Sequence, residues 1–261
     1  MPIEQTIRLS VFTGVLLLVA LWEIAAPRRP LQDSKPKRWF ANLGMIVIDT
    51  VTVRLLFPVF PIALAQLAET RGWGIFNIVS LAPWLAFVLS FLLLDLIIYL
   101  QHVMFHHLPI LWRLHRMHHT DLDLDVTSGN RFHPLEIVIS MVIKLAAVML
   151  LGPSPLVVLA FEVILNASAM FNHGNIKLPE ALDRLLRLLV VTPDMHRVHH
   201  SVVVRETNSN FGFNFPWWDR ICGTYRAQPE NGHLYMTIGL KEYRDPGKLT
   251  LLRLLLQPFT S

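Results

Sequence analysis

The sequence predicts an all-α integral membrane protein, a bundle of about four to five transmembrane or re-entrant helices with a cytoplasmic histidine-rich helical cap. Three observations predict it. Hydrophobic residues make up 53% of the 261 and charged residues 16%, against roughly 45–50% and about 25% in soluble domains. Five stretches approach the about 20 apolar residues that a spanning helix needs. Most of the 12 histidines gather where those stretches end.

Residues 7–26 form the first candidate span. They lack a strongly basic start and run into "APRRP" rather than a small-residue cleavage site, so the reading is a retained anchor. Residues 40–68 form a second, which Asp49, Arg54, Pro58 and Pro61 should kink or break. Residues 81–107 are the strongest candidate. Residues 135–151 and 155–171, joined by "GPSP", read as a helical hairpin whose arms are short enough to be re-entrant. Further on, 179–191 and 249–259 place leucines at helical spacing among basic residues, as helices lying in the interface do. The aromatics of "FPWWDR" read as interface anchors. The chain divides into anchor helices (1–80), a catalytic unit (81–230) and a polar tail with an interfacial helix (231–261).

Charge sets the expected orientation. Arg28, Arg29, Lys35, Lys37 and Arg38 lie between the first two spans and Arg71 alone in the next loop, which puts the first loop in the cytoplasm. The third span then runs inward. Both histidine clusters fall on the cytoplasmic face, provided the hairpin returns the chain there. A net charge of +4 with no basic run interleaved with aromatics gives no reason to invoke nucleic acid. The single cysteine, Cys222, excludes an intramolecular disulfide framework and a cluster held by several thiolates of this chain.

Spacing turns the histidines into geometry. Asp95, Tyr99, His102 and His106 follow intervals of four, three and four, one stripe of a helix. His115, His118 and His119 in "LHRMHH" lie at i, i+3, i+4, and His196, His199 and His200 in "MHRVHH" repeat the arrangement. Imidazoles on adjacent turns of one face suit a metal ion, and eight of them exceed what one tetrahedral ion takes. His173 in "FNHGN" is a further candidate at the end of the fifth span, and His133 in "RFHPLE" another, with helix capping as the competing role for both. His107 points about 100° from His106 and His233 lies in the polar tail, so both are left out. An aspartate in a span needs a polar partner; for Asp95 that is either the histidine site or a neighbouring helix. Asp95, Tyr99, Asn172, Asn175 and Asp194 are candidates for orienting imidazole rings. Imidazole suits iron, zinc, copper and nickel alike, so spacing does not choose the metal.

The runs "DLIIYLQHVMFHHLPILWRLHRMHHTDLDLDVTSGNRFHPLE", "FNHGN" and "TPDMHRVHHSVVVRETNSNFGFNFPWWDRICGTY" together resemble the fatty acid hydroxylase and sterol desaturase superfamily, over roughly half the chain. The resemblance implies a non-haem centre of two iron ions, with zinc as a possible substitute, that uses O2 and two electrons to hydroxylate or desaturate a lipid or sterol-like substrate. It assigns the first histidine box to His102 and His106, the second to His115, His118 and His119, and the third to His196, His199 and His200. It assigns the intervening ligand to His173 and matches His133 to an arginine-x-histidine-proline element. No dinucleotide fingerprint or cysteine cluster is present, so electrons are expected from a separate ferredoxin, cytochrome or reductase docking near the basic C-terminal region. The competing readings are a zinc-dependent membrane hydrolase and a metal-handling or haem-binding membrane protein; the first is separated by metal content, the second by absorption spectrum.

Overall fold

Prolines write the element boundaries. In the computed structural model, which describes residues 3–260, the helices are α1 (Ile3–Ala25), α2 (Lys35–Leu56), α3 (Pro61–Arg71), α4 (Ile75–Ile78), α5 (Pro83–His107), α6 (Pro109–His119) and α7 (Pro134–Leu151). They continue as α8 (Pro155–His173), α9 (Glu180–Leu186), α10 (Pro193–His199), α11 (Val204–Thr207), α12 (Trp217–Ile221), α13 (Gly232–Tyr235) and α14 (Leu251–Leu256). Helices α2, α3, α5, α6, α7, α8 and α10 each carry proline in the first two positions. There the missing N–H would be unpaired anyway and the fixed φ already suits a helix. Among the described residues there is no strand, only isolated bridges pairing Pro27 with Ile176 and Ser201 with Ile238.

Among the described residues five segments are long and apolar enough to cross a membrane: Ile3–Ala25, Lys35–Ile78, Pro83–His107, Pro134–Leu151 and Pro155–His173. The protein is an all-α integral membrane protein. The second segment breaks at residues 57–60, where Pro58 and Pro61 cannot continue a helix. Leucines such as Leu18, Leu21, Leu55 and Leu100 stay exposed on the outer faces of these helices, which costs nothing in a hydrocarbon solvent. On the short α9 and the turn after it, Leu182, Leu185, Leu188 and Leu189 form an exposed apolar row, as expected of a segment lying in the interface.

Helix α8 is the centre of the bundle and packs against α1, α3, α5 and α10. Its core with α5 and α7 joins Phe91, Leu94 and Ile98 to Ala147, Leu151 and Phe161. A short turn, Ser128–Asn130, also lies on α8. At Gly129 a Cβ would sit 2.3 Å from the Ala169 carbonyl oxygen, so only glycine permits this approach. Leu108 closes α5 and opens α6 at once. Pro109 prevents one continuous helix and turns the second histidine cluster back toward the first.

A buried ion network fixes the chain that leaves α6. The Arg38 guanidinium from α2 donates to Asp121 at 2.7 Å, to Asp125 at 2.7 Å and to the Asp123 carbonyl at 2.7 Å. Arg131 adds a second cation beside Asp121 at 3.4 Å. Asp123 instead accepts the backbone N–H groups of Gln32 and Asp33. Burial alone would raise the Asp121 carboxyl, but Arg38 and Arg131 outweigh it and hold the group well below the usual carboxylate range. Replacing Arg38 by methionine strands Asp121 and Asp125 in a low-dielectric interior. The expected loss is about 3–5 kcal/mol of folded-state stability, seen as a lowered unfolding midpoint in detergent, whereas Lys37→Met on the exposed side of the same turn leaves the midpoint unchanged.

Candidate metal centre

Nine imidazoles from four helices and the helix ends beside them meet in two adjoining groups. His102, His106, His115, His119 and His199 form one, and His118, His173, His196 and His200 the other, with the candidate ligand atoms of each group within 4.8 Å of one another. Each HxxHH cluster is divided between them. His115 and His119, one helical turn apart, serve the first group while His118 serves the second; on α10 the assignment reverses, with His196 and His200 in the second and His199 in the first. This exchange explains the third histidine of each cluster, since a helix edge with only an i, i+4 pair would reach one group alone. Stacked His119 and His200 rings, 4.5 Å apart, mark the seam between the groups.

For six of the nine rings a surrounding acceptor decides which nitrogen carries hydrogen; Nδ1 of His119, His196 and His200 has none. Nδ1 of His102 donates to the Phe211 carbonyl at 2.7 Å, that of His199 to the Ser209 carbonyl at 2.7 Å, and that of His115 to Glu136 Oε1 at 2.7 Å. In the second group His173 Nδ1 donates to the Ala169 carbonyl at 2.7 Å and His118 Nδ1 to the Arg131 carbonyl at 3.2 Å. Carbonyl and carboxylate oxygens only accept, so each Nε2 of a neutral ring is left with its lone pair. Those lone pairs face one another: Nε2 of His102 lies 3.2 Å from that of His115 and 3.1 Å from that of His199, and Nε2 of His118 lies 3.1 Å from that of His173. Such contacts repel unless a cation sits among them. His106 Nε2 and both nitrogens of His119 are buried without a partner, as metal ligands would be in a metal-free protein. The residues therefore fit two metal ions bound through neutral imidazoles.

Burial is the first cause that keeps the rings neutral. It drives the His115 imidazolium down to about 3 and, with help from neighbouring imidazoles, puts His118, His119, His196, His199 and His200 well below the ordinary histidine range.

Each sequence candidate has a defined place. The stripe Asp95, Tyr99, His102 and His106 exists, and all four side chains face the segment 208–224, but only the two histidines enter the centre. Asp95 accepts from Asn214 and Trp218 at 2.8 Å each, and Tyr99 hydroxyl pairs with Thr224 at 2.9 Å. Neither orients an imidazole directly; they hold the loop whose Phe211 carbonyl does. Trp218 is accordingly a strut within the fold rather than a free anchor. Asp194 pairs with Arg28 and Arg197 and lies 3.7 Å from His233, outside both groups. Asn175 bonds Arg29, whereas Asn172 Oδ1 meets His173 Nδ1 at 2.7 Å. His133 is not brought to the centre: it caps α7, its Nδ1 accepting from the Leu135 N–H and its Nε2 donating to the Leu255 carbonyl. The hairpin α7–α8 does return the chain, since His173 at its end meets His118.

Sequence reading missed Glu136, Asn208 and the backbone carbonyls. Glu136, three residues past His133 on the first turn of α7, had a legible signal as a lone acid in an apolar run. The carbonyls had none. Phe211 and Gly212 N–H groups are tied to Asp219, and Asn210, at φ 53°, is tied by its side-chain amide to the Met195 and Arg226 carbonyls. Asparagine tolerates that left-handed backbone.

Two cavities reach the five-histidine group. One of about 970 Å³ extends among α1, α2, α3, α5, α7 and α8 from Arg8 and Phe60 to His102, His115 and Glu136. The other, about 930 Å³, leads from His106 and Trp112 to a rim carrying Arg116, Lys241, Lys248 and Arg253.

A buried, imidazole-only centre of two groups at the end of a membrane helix bundle defines a class of membrane metalloprotein. The chain belongs to the fatty acid hydroxylase family, whose model matches residues 87–224 and so includes all nine imidazoles. It is similar to the ornithine lipid hydroxylase OlsE of Rhizobium tropici, 26% identical over 84% of this chain and 67% of that protein. Human alkylglycerol monooxygenase is 27% identical over 61% of this chain and 35% of its own length. Rat cholesterol 25-hydroxylase is 28% identical over 71% and 61%. The chain thus spans about a third to two thirds of these relatives. No solved structure matches it significantly.

Two outcomes follow from the geometry. His199→Ala should release the metal of the five-histidine group and His118→Ala that of the four-histidine group, each protein remaining in the membrane; full metal content in both, by elemental analysis, would refute the assignment. Glu136→Gln, which keeps the shape but weakens the acceptor for His115, should lower metal affinity by about 10–100-fold. For the metal-free protein, rings whose folded pKa lies below the unfolded value of about 6.5 take up protons on unfolding. Its stability is therefore full above pH about 6.5 and falls progressively as pH drops from there toward 3. A metal-free unfolding midpoint that is flat across that window would contradict the neutral assignment.

Proposed function

We propose that this chain is a membrane-bound non-haem di-iron oxygenase that hydroxylates a lipid or sterol-like substrate with O2 and electrons from a separate donor. The observation that carries the reading is the confrontation of imidazole lone pairs in two adjoining groups, each needing a cation. The names of the relatives, hydroxylases and a monooxygenase acting on an ornithine lipid, alkylglycerol and cholesterol, support an oxidation of lipid. His102, His106, His115, His119 and His199 would hold one iron and His118, His173, His196 and His200 the other. When bound, such a pair supplies the reduction of O2 that places one oxygen atom on an unactivated carbon and releases the other as water.

The chain's own residues do the rest. Glu136, Asn172, Asn208 and the carbonyls of Phe211, Ser209, Ala169 and Arg131 keep the hydrogens on Nδ1 and the lone pairs inward. The cavity among the bundle helices admits a lipid from the hydrocarbon to the side of the first group, where Phe105, Phe132 and Phe213 present an apolar, water-poor wall. The second cavity, opening beside His106 and rimmed by basic side chains, suits an acidic electron carrier, with Trp112, 4.9 Å from the His106 ring, between them. The basic loop between α1 and α2 lies at the same end of the bundle as the centre, Arg28 reaching Asp194 and Arg38 reaching Asp121. By the preference of such loops for the cytoplasm, the metal centre faces that side.

The test is oxygen isotope transfer. Membranes carrying the wild-type chain, supplied with ¹⁸O2 and a reducing system, should yield a lipid with one added ¹⁸O, and membranes carrying His199→Ala should not. Purified protein holding zinc, with no consumption of O2, would instead support a hydrolase.

A further inference from the structure

The bundle cavity is unusual in what it exposes at membrane depth. Glu162 in the middle of α8 accepts from Lys144 of α7 at 2.8 Å and from Arg8 of α1, so two cations share one anion. Neither cation is fully used: the Arg8 side chain is 34% and the Lys144 side chain 18% exposed, and both line the cavity. Asp49 of α2, only 8% exposed, lines the same cavity with no salt bridge among the described residues and with Oδ1 unpartnered. Gln101 leaves its Oε1 unpartnered there as well. A helix-to-helix clasp would need one lysine and one glutamate. Here Glu162 can neutralise only one of its two cations, while Asp49, on another helix, lines the same chamber unpaired near Glu136, whose Oε2 also lacks a partner, and each intramembrane charge carries a penalty that calls for a partner. Lys144 lies eight residues past Glu136, about 12 Å along α7, and Glu162 eleven before His173, about 16 Å along α8, so the charged triad lies away from the metal centre.

We infer that this chamber is a polar-headgroup site, built for a zwitterionic amphiphile whose anionic group meets Arg8 and Lys144 and whose ammonium meets Asp49. The inference rests on reading the chamber as the substrate's, and it names the substrate class: a lipid with both charges, rather than a hydrocarbon, an alcohol or a sterol. Separated charges discriminate by leaving buried groups unpaired when the wrong ligand enters.

Binding to the full-length protein in nonionic micelles tests it without turnover. Four ligands of one chain length serve as probes: Nα-palmitoyl-lysine, palmitate, hexadecylamine and hexadecanol. Palmitoyl-lysine should bind about tenfold or more tightly than hexadecanol, with the singly charged ligands between. Asp49→Asn should erase its advantage over palmitate, and Lys144→Met its advantage over hexadecylamine. Equal affinity of the four ligands for the wild-type protein, which needs no variant, would overturn the inference, as would equal weakening of all four by both substitutions. Iron content of the same preparations tests the functional reading separately, because headgroup selectivity is read in metal-free protein.

Discussion

Everything in this structure answers to the placement of a hydrogen on Nδ1. Nine neutral imidazoles meet in two groups, and six of them are turned lone pair inward by acceptors outside the groups, each aimed at an outward-facing Nδ1, while the Nδ1 atoms of His119, His196 and His200 have no such acceptor. Those acceptors lie on segments far apart in sequence. Glu136 is at the start of a membrane helix, Ala169 within another, and Ser209 and Phe211 sit in a loop stiffened by Asp219 and Asn210. The fold can be read as the apparatus that brings these oxygens to the rings.

That view gives the intramembrane polar residues distinct duties. Asp95 and Tyr99 cross from α5 to the loop and fix its height. Arg38 crosses from α2 and fixes the chain beyond the second histidine cluster. The first two helices are thus joined to the centre by ion pairs as well as by apolar packing, and Glu23 at the end of α1 accepts the backbone N–H groups of Val126 and Asn175 on either side of it. Each of these groups would be costly in lipid and is stable here because it is paired.

The sequence made the ligands legible and the supports mostly illegible, for a physical reason. Histidines at i, i+3, i+4 declare a shared helix face, and proline-initiated helices declare their own boundaries, so the spans, the broken second segment and eight of the nine imidazoles are readable from spacing, while His173 rests on its place at the end of a span and on the family resemblance. His133 misled because a histidine before proline reads equally as a ligand and as a cap, and only the third dimension shows its Nε2 turned to Leu255. Asp95 shares a helix stripe with His102 and His106, and Asp194 and Asn175 lie beside other histidines in sequence, yet the partners of all three are decided by tertiary packing. Backbone carbonyls carry no side-chain signature at all, so the acceptors for His102 and His199 were beyond reach. The aspartates Asp121, Asp123 and Asp125 take their meaning from Arg38, which lies 83 residues before Asp121.

The pairing of His102 with His199 joins positions 97 residues apart, and the first group cannot close until both are in place. During synthesis, therefore, α5 and α6 emerge with their imidazoles lacking the partners that complete either site. Only after α10 and the loop behind it emerge does a pocket exist that can hold an ion. An ion that needs either complete group can therefore be bound only late in biogenesis, after the membrane helices are in place.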